Sequence, residues 1–87
     1  MQLNELRNQM DAINSELVAL LGRRTEIARE IARIKKRERL PIFDSGREDA
    51  IKERVRLLAK EQKISASVME EIIQIVLDYT RLEMEAV

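Results

Sequence analysis

Among its 87 residues the chain has no cysteine, no histidine and no tryptophan, and it has only two glycines, one proline, one phenylalanine and one tyrosine. Without cysteine there is neither a disulfide scaffold nor a thiolate nucleophile. Without histidine there is no imidazole to serve as acid, base or metal ligand, so Cys/His zinc sites and Ser-His-Asp or Cys-His catalysis are excluded by composition. A surplus of one charge is also missing, since 16 basic residues face 16 acidic ones. Proteins that wrap nucleic acid or lie on anionic membranes rely on such a surplus, so neither nucleic acid nor membrane is expected as a partner. No apolar run approaches the roughly 20 residues of a membrane span, and the first five residues have neither the basic nor the apolar region of a secretion signal. The chain reads as soluble and cytoplasmic.

What remains is 37% Asp, Glu, Lys and Arg and 45% hydrophobic residues, dominated by Leu, Ile and Ala. That composition reads as all-α, in one domain spanning residues 1–87. Leu3, Leu6, Met10, Ile13, Leu17, Leu20, Ile27, Ile31 and Ile34 follow one another mostly in steps of three and four, a heptad seam. Nothing interrupts it before Leu40-Pro41, where proline bars the helical conformation of its predecessor, so the helix is expected to end near Arg39. Gly22 costs about 1 kcal/mol inside it without stopping it. Two shorter helices follow, giving approximate spans of 2–39, 46–62 and 66–85. The spacing Ser45-x-x-Glu48 suggests a capping box for the second, with Ile51, Val55 and Leu58 turned inward. Ser65 or Ser67 suits the cap of the third, whose inner stripe is Met69, Ile73, Val76, Leu77, Thr80 and Met84.

A helix of about 36 residues is about 54 Å long, whereas a compact chain of this length has a diameter near 30 Å. The remaining half of the chain cannot cover such a helix. A second copy related by a two-fold axis is the simplest partner.

One seam position, between Leu20 and Ile27, is Arg24. A charge there costs several kcal/mol unless an anion pairs with it, whereas Arg23, Arg29, Arg33 and Arg37 read as solvated. Lys35 lies about 20° from Arg24 around the axis, so two cations look along one face. Arg47 and Glu48 share the inward side of Ile51, and Arg47 in a first helical turn opposes the helix dipole. Arg7 is about 100° from Arg24, so it is either a solvated surface arginine or, in an antiparallel two-fold pairing, a residue that reaches such a pocket on a partner chain. Either these cations pair with Glu48 or another carboxylate, or together they line a cavity for a small polyanion. With no thiol or imidazole, the chemistry best suited to such a cavity needs only charge placed where charge develops.

Leu6-Arg7 and Ile13, the run Leu17-Val18-Ala19-Leu20-Leu21-Gly22-Arg23-Arg24, then Ile27-Ala28-Arg29-Glu30-Ile31, Lys35, Leu40-Pro41-Ile42, Asp44 and Arg47-Glu48 form a set with specific spacings. In that set, over essentially its whole length, the chain resembles the all-helical (AroQ-type) chorismate mutases. The resemblance implies an intertwined, domain-swapped helical homodimer of three-helix chains that needs no cofactor and rearranges chorismate to prephenate. It implies that Arg24 and the Arg7 of the other chain hold the two substrate carboxylates with help from Arg47. Lys35 would donate to the ether oxygen, Glu48 and the backbone near Asp44 would bind the ring hydroxyl, and Thr80 would stand near a carboxylate where the family often has Ser.

One position departs from the family. Met84 stands where Gln or Glu usually gives a second donor to the ether oxygen, and a thioether cannot donate. Either Lys35 acts alone at a lower rate, or the end of the third helix shifts so that a protonated Glu83 or Glu85 swings in. The nearest rival is isochorismate-pyruvate lyase, which resembles the same family. A non-catalytic helical dimer that regulates or scaffolds a shikimate-pathway enzyme is a second rival, and a mutase domain cut from a larger fused enzyme a third possibility.

Overall fold

Backbone capping, more than proline or glycine, sets where the helices begin and end. The structure is a computed structural model that describes residues 2–87, and its elements are α1 (Leu3–Arg37), α2 (Ser45–Glu61) and α3 (Ala66–Glu85). Among the described residues there is no strand, so the expected all-α class with three helices is borne out. No helix among them is long and apolar enough to cross a membrane.

α1 ends at Arg37, short of the expected residue 39, because the chain turns before proline can act. Arg39 adopts a left-handed conformation (φ 59°), and the Leu40 N–H donates to the Lys35 carbonyl at 2.7 Å. The turn satisfies the last carbonyls in the manner of a glycine-terminated helix, at the cost of a positive φ on a side chain that disfavours it. α2 closes in the same way: Lys63 has φ 59° and the Ile64 N–H donates to the Ala59 carbonyl at 3.1 Å.

α2 starts one residue earlier than expected. Asp44, not Ser45, is its cap, accepting from the Arg47 N–H at 3.0 Å. The carboxylate does what the hydroxyl of Ser45 was expected to do, and Glu48 is thereby released from a capping box. Of the two candidate caps for α3 the structure selects Ser65, whose Oγ accepts from the Val68 N–H at 3.2 Å.

α3 is the hub, packing against α2 on one side and against the C-terminal half of α1 on the other. Ala28 and Ala32 of α1 meet Met84 of α3, with Ile42 and Val87 around them. Small alanines let the two helices approach closely. In α2 the buried contact is Ala59, 3% exposed, whereas Leu58 is 39% exposed. An ion pair from Arg56 to Glu70 at 2.7 Å ties α2 to α3.

The N-terminal half of α1 projects beyond this packing. The face that Thr25, Ala28 and Ala32 bury continues along Leu21, Leu17, Met10, Leu6 and Leu3, yet residues 2–23 are all exposed. The molecule measures 55 × 24 × 15 Å, and its radius of gyration is 16.0 Å against about 12 Å for a compact chain of this length.

Candidate active site

Because α1 and α2 do not touch and α3 touches both, a gap is left between them, closed at one end by the 38–44 connection. This gap is a cavity of about 420 Å³. Its apolar wall comes from Ile27, Ala28 and Ile31 of α1, Ile42 and Phe43 of the connection, Ile51 of α2, and Leu77 and Met84 of α3. The remaining lining is Thr80 and six charged residues: Arg24, Lys35, Asp44, Arg47, Glu48 and Arg81.

α1 supplies Arg24 and Lys35 from one face, as expected of residues eleven apart on a helix. Arg24 Nη1 donates to Thr80 Oγ1, and the Thr80 hydroxyl proton goes to the Val76 carbonyl at 2.7 Å. Lys35 Nζ donates to the Ile42 carbonyl at 3.1 Å, which anchors the connection to α1. Among the described residues neither cation pairs with a carboxylate. The alternative of an internal ion pair from Arg24 or Lys35 to Glu48 is therefore not what the structure contains.

Glu48 pairs instead with Arg81 of α3, Nη2 to Oε2, at 3.0 Å. The Arg81 guanidinium also stacks over the Phe43 ring, 3.9 Å from its centroid. Arg81 is absent from the sequence-based list of site residues. The signal was available, because Arg81 stands four residues after Leu77 and three before Met84, on the same inner stripe of α3. Arg47 lines the same cavity at its exposed rim, and Asp44 lines it while its carboxylate caps α2.

Met84 is 8% exposed and forms part of the cavity wall, in the place where a donor was missed. The alternative that Glu83 swings in does not hold. Glu83 is tied to Arg29, Nη2 to Oε2 at 2.9 Å, outside the cavity. A hydrogen bond from Tyr79 and those from Arg29 hold its carboxyl below the usual carboxylate range, the opposite of a protonated donor. Arg29 is thus half-buried and paired, not solvated as expected. Glu85 is exposed and does not line the cavity.

Arg7 stays apart. It is seventeen residues from Arg24 on one continuous helix, about 26 Å away along the axis, and fully outside the cavity of its own chain.

Four cations and two carboxylates leave the cavity wall with a net charge of +2. That balance fits a small dianion, and the apolar surface fits its carbon skeleton. The side chains carry no thiol or imidazole, so the work this site does best is confinement of a flexible molecule and stabilisation of oxygen charge by preorganised donors.

A family model described as chorismate mutase type II matches residues 6–85 of the chain. Over 80 residues the chain is 31% identical to a chorismate mutase of Methanocaldococcus jannaschii, covering 92% of this chain and 81% of that protein. Over 72 residues it is 32% identical to the T-protein of Haemophilus influenzae, covering 83% of this chain and 19% of that protein. Over 60 residues it is 40% identical to a bifunctional chorismate mutase/prephenate dehydratase of Aquifex aeolicus, covering 69% of this chain and 17% of that protein. The resemblance drawn from Arg7, Arg24, Lys35 and their neighbours is borne out, and the chain belongs to the chorismate mutase type II family.

Proposed function

We propose that the cavity between α1, α2 and α3 binds chorismate and promotes its intramolecular rearrangement to prephenate through charge and confinement alone. The activity itself, that of a chorismate mutase and hence an isomerase, accompanies the family. The observation that carries the residue roles is the convergence of Arg24, Lys35, Arg47 and Glu48 on one cavity of net charge +2.

Arg24, held by Thr80, grips one carboxylate with two parallel N–H bonds, a geometry the guanidinium fork is shaped for. The second carboxylate is taken by Arg7 of a partner chain, with Arg47 at the rim. Lys35, a compact point charge, donates to the ether oxygen as negative charge builds there during C–O cleavage. Glu48 and the backbone around Asp44 receive the ring hydroxyl. Binding the compact conformer brings the reacting carbons together, and no group has to take or give a proton.

The dimer is part of this reading. The exposed stripe Leu3, Leu6, Met10, Leu17 and Leu21 continues the face that α3 covers further along, so a second α3 and α1 suit it chemically. A two-fold, domain-swapped pairing brings each Arg7 toward the other chain's cavity and makes residues 1–87 one mutase domain. The absence of cysteine suits a cytoplasmic setting, where the enzyme works alone or beside another enzyme of the shikimate route.

The deciding experiment mixes purified protein with chorismate, follows the loss of ultraviolet absorbance and identifies the product. Prephenate without pyruvate is expected. Pyruvate and salicylate released from isochorismate instead would replace this reading with a lyase of the same fold, and no turnover by a folded dimer would overturn it.

A further inference from the structure

We propose that Arg81 is a positioning residue for the reaction, holding the Glu48 carboxylate turned into the cavity so that one oxygen is kept for the substrate. The proposal rests on the reading above, in which Glu48 receives the ring hydroxyl.

Three observations converge on it. Glu48 gives Oε2 to Arg81 Nη2 at 3.0 Å, and its Oε1 has no hydrogen-bond partner among the described residues. An acid with one oxygen fixed and the other open is oriented, and a fixed acceptor loses less freedom when it binds a hydroxyl. Arg81 is itself fixed, because its guanidinium lies on the Phe43 ring at 3.9 Å while its stem starts from α3. Finally, the Arg81 Nε–H is buried without a partner among the described residues, a cost that a residue serving stability alone has no reason to carry.

Charge points the same way. A dianion entering the cavity meets Glu48 close to its ring, and a carboxylate without a counter-ion would repel it. Arg81 of α3 cancels that charge, leaving Arg24 and Lys35 of α1 for the substrate. The pair is assembled from α2 and α3, and the Phe43 contact brings in the connection, so one side chain joins three of the cavity's components.

The test is a double-mutant cycle with chorismate, using Arg81→Met, Glu48→Gln and the double variant. Wild-type turnover measured alongside establishes that the enzyme is active, so failure of the functional reading shows there and not in the cycle. Arg81→Met is expected to raise KM by about tenfold, the order of one charge-assisted hydrogen bond, with kcat changed less than about threefold. Arg81→Lys should recover most of that loss. The double variant should be no worse than Glu48→Gln alone, because Arg81 acts through Glu48.

Multiplying losses in the double variant would overturn the proposal and make Arg81 a direct substrate ligand. A KM within twofold of wild type for folded Arg81→Met would overturn it as well. If Arg81→Met does not fold, Phe43→Leu gives the second measurement: loosening the stack should raise KM in the same direction, and an unchanged KM counts against the proposal.

Discussion

Arg24 of α1 and Thr80 of α3, 56 positions apart in the chain, are joined through a guanidinium Nη1 and a hydroxyl that passes its own proton to Val76. The hydroxyl proton is committed to the helix backbone, so the oxygen is left as an acceptor and points the arginine across the cavity. Thr80→Val keeps the shape and removes the acceptor. We expect kcat/KM with chorismate to fall about tenfold, the worth of one hydrogen bond to a charged group, while Thr80→Ser stays within about threefold. Steady-state kinetics on both variants decide it, and equal losses would remove Thr80 from the account.

Met84, a cavity-wall residue that cannot donate a hydrogen bond, is expected to make the enzyme slower than a donor at that position would. Met84→Gln places an amide donor in the cavity wall beside the ether oxygen, and one preorganised donor is worth about 2.7 to 4 kcal/mol of barrier. The rate should rise by about a hundredfold to a thousandfold. The same substitution puts an amide against Ala28 and Ala32, so a loss of about 1–2 kcal/mol of stability should accompany it. A faster but less stable variant, seen in initial rates and thermal melts, is the expected pair of results. An unchanged rate would show that Lys35 alone suffices.

The exposed stripe of α1 sets an assembly prediction. Met10 is 59% exposed and Leu17 54%, both on the side that α3 buries further along. Leu17→Glu removes an apolar contact twice in a two-fold dimer, about 1.5–3 kcal/mol each time, and so weakens association by roughly a hundredfold or more. Sedimentation should then report a mass near 10.2 kDa at concentrations where the parent chain is twice that. A parent chain that sediments as a monomer would sink the swapped dimer.

Much of this was legible in the sequence because apolar spacing and helix length are properties of the chain alone. The steps of three and four gave α1, and its length against the rest of the chain gave the unpartnered stripe. Arg24 was legible because it sits in an apolar seam. Arg81 was passed over although it stands between Leu77 and Met84 on the inner stripe of α3, and its pairing with Glu48, 33 positions away, is not legible until the geometry of α3 against α2 is known. The choice between Asp44 and Ser45 as cap was likewise open, since neighbouring residues both carry suitable oxygens and a turn of one residue decides between them. Arg29 was misjudged for the same reason: its partner Glu83 is 54 positions away.

Tyr79 offers a pH reading free of interference, since it is the single tyrosine of a chain without tryptophan. The Glu83 carboxylate accepts a hydrogen bond from its hydroxyl and repels the phenolate, raising its pKa above the usual 10.0 despite the opposing pull of Arg29. The neutral phenol is favoured in the fold, so the stabilisation is complete below pH 10.0 and is lost as pH climbs through the raised value. Ultraviolet titration should show one late transition. Glu83→Gln should return it toward the ordinary phenol, and no movement would mean that the contact does not form in solution.

In the proposed dimer, the separation of Arg7 from Arg24 along α1 makes each site the joint property of two chains. A subunit with Arg7→Ala still owns a sound cavity, and one with Arg24→Ala still owns a sound donor for its neighbour. Each variant alone has two broken sites, but when the two are refolded together a mixed pair contains one site with both lesions and one with none. Random pairing puts half the dimers in that state, so two dead preparations combined should return about a quarter of the wild-type activity. In that proposed dimer catalysis is inherited by pairs: a defective copy spoils one of the two sites in any pair it joins, its neighbour's when Arg7 is lost and its own when Arg24 is lost.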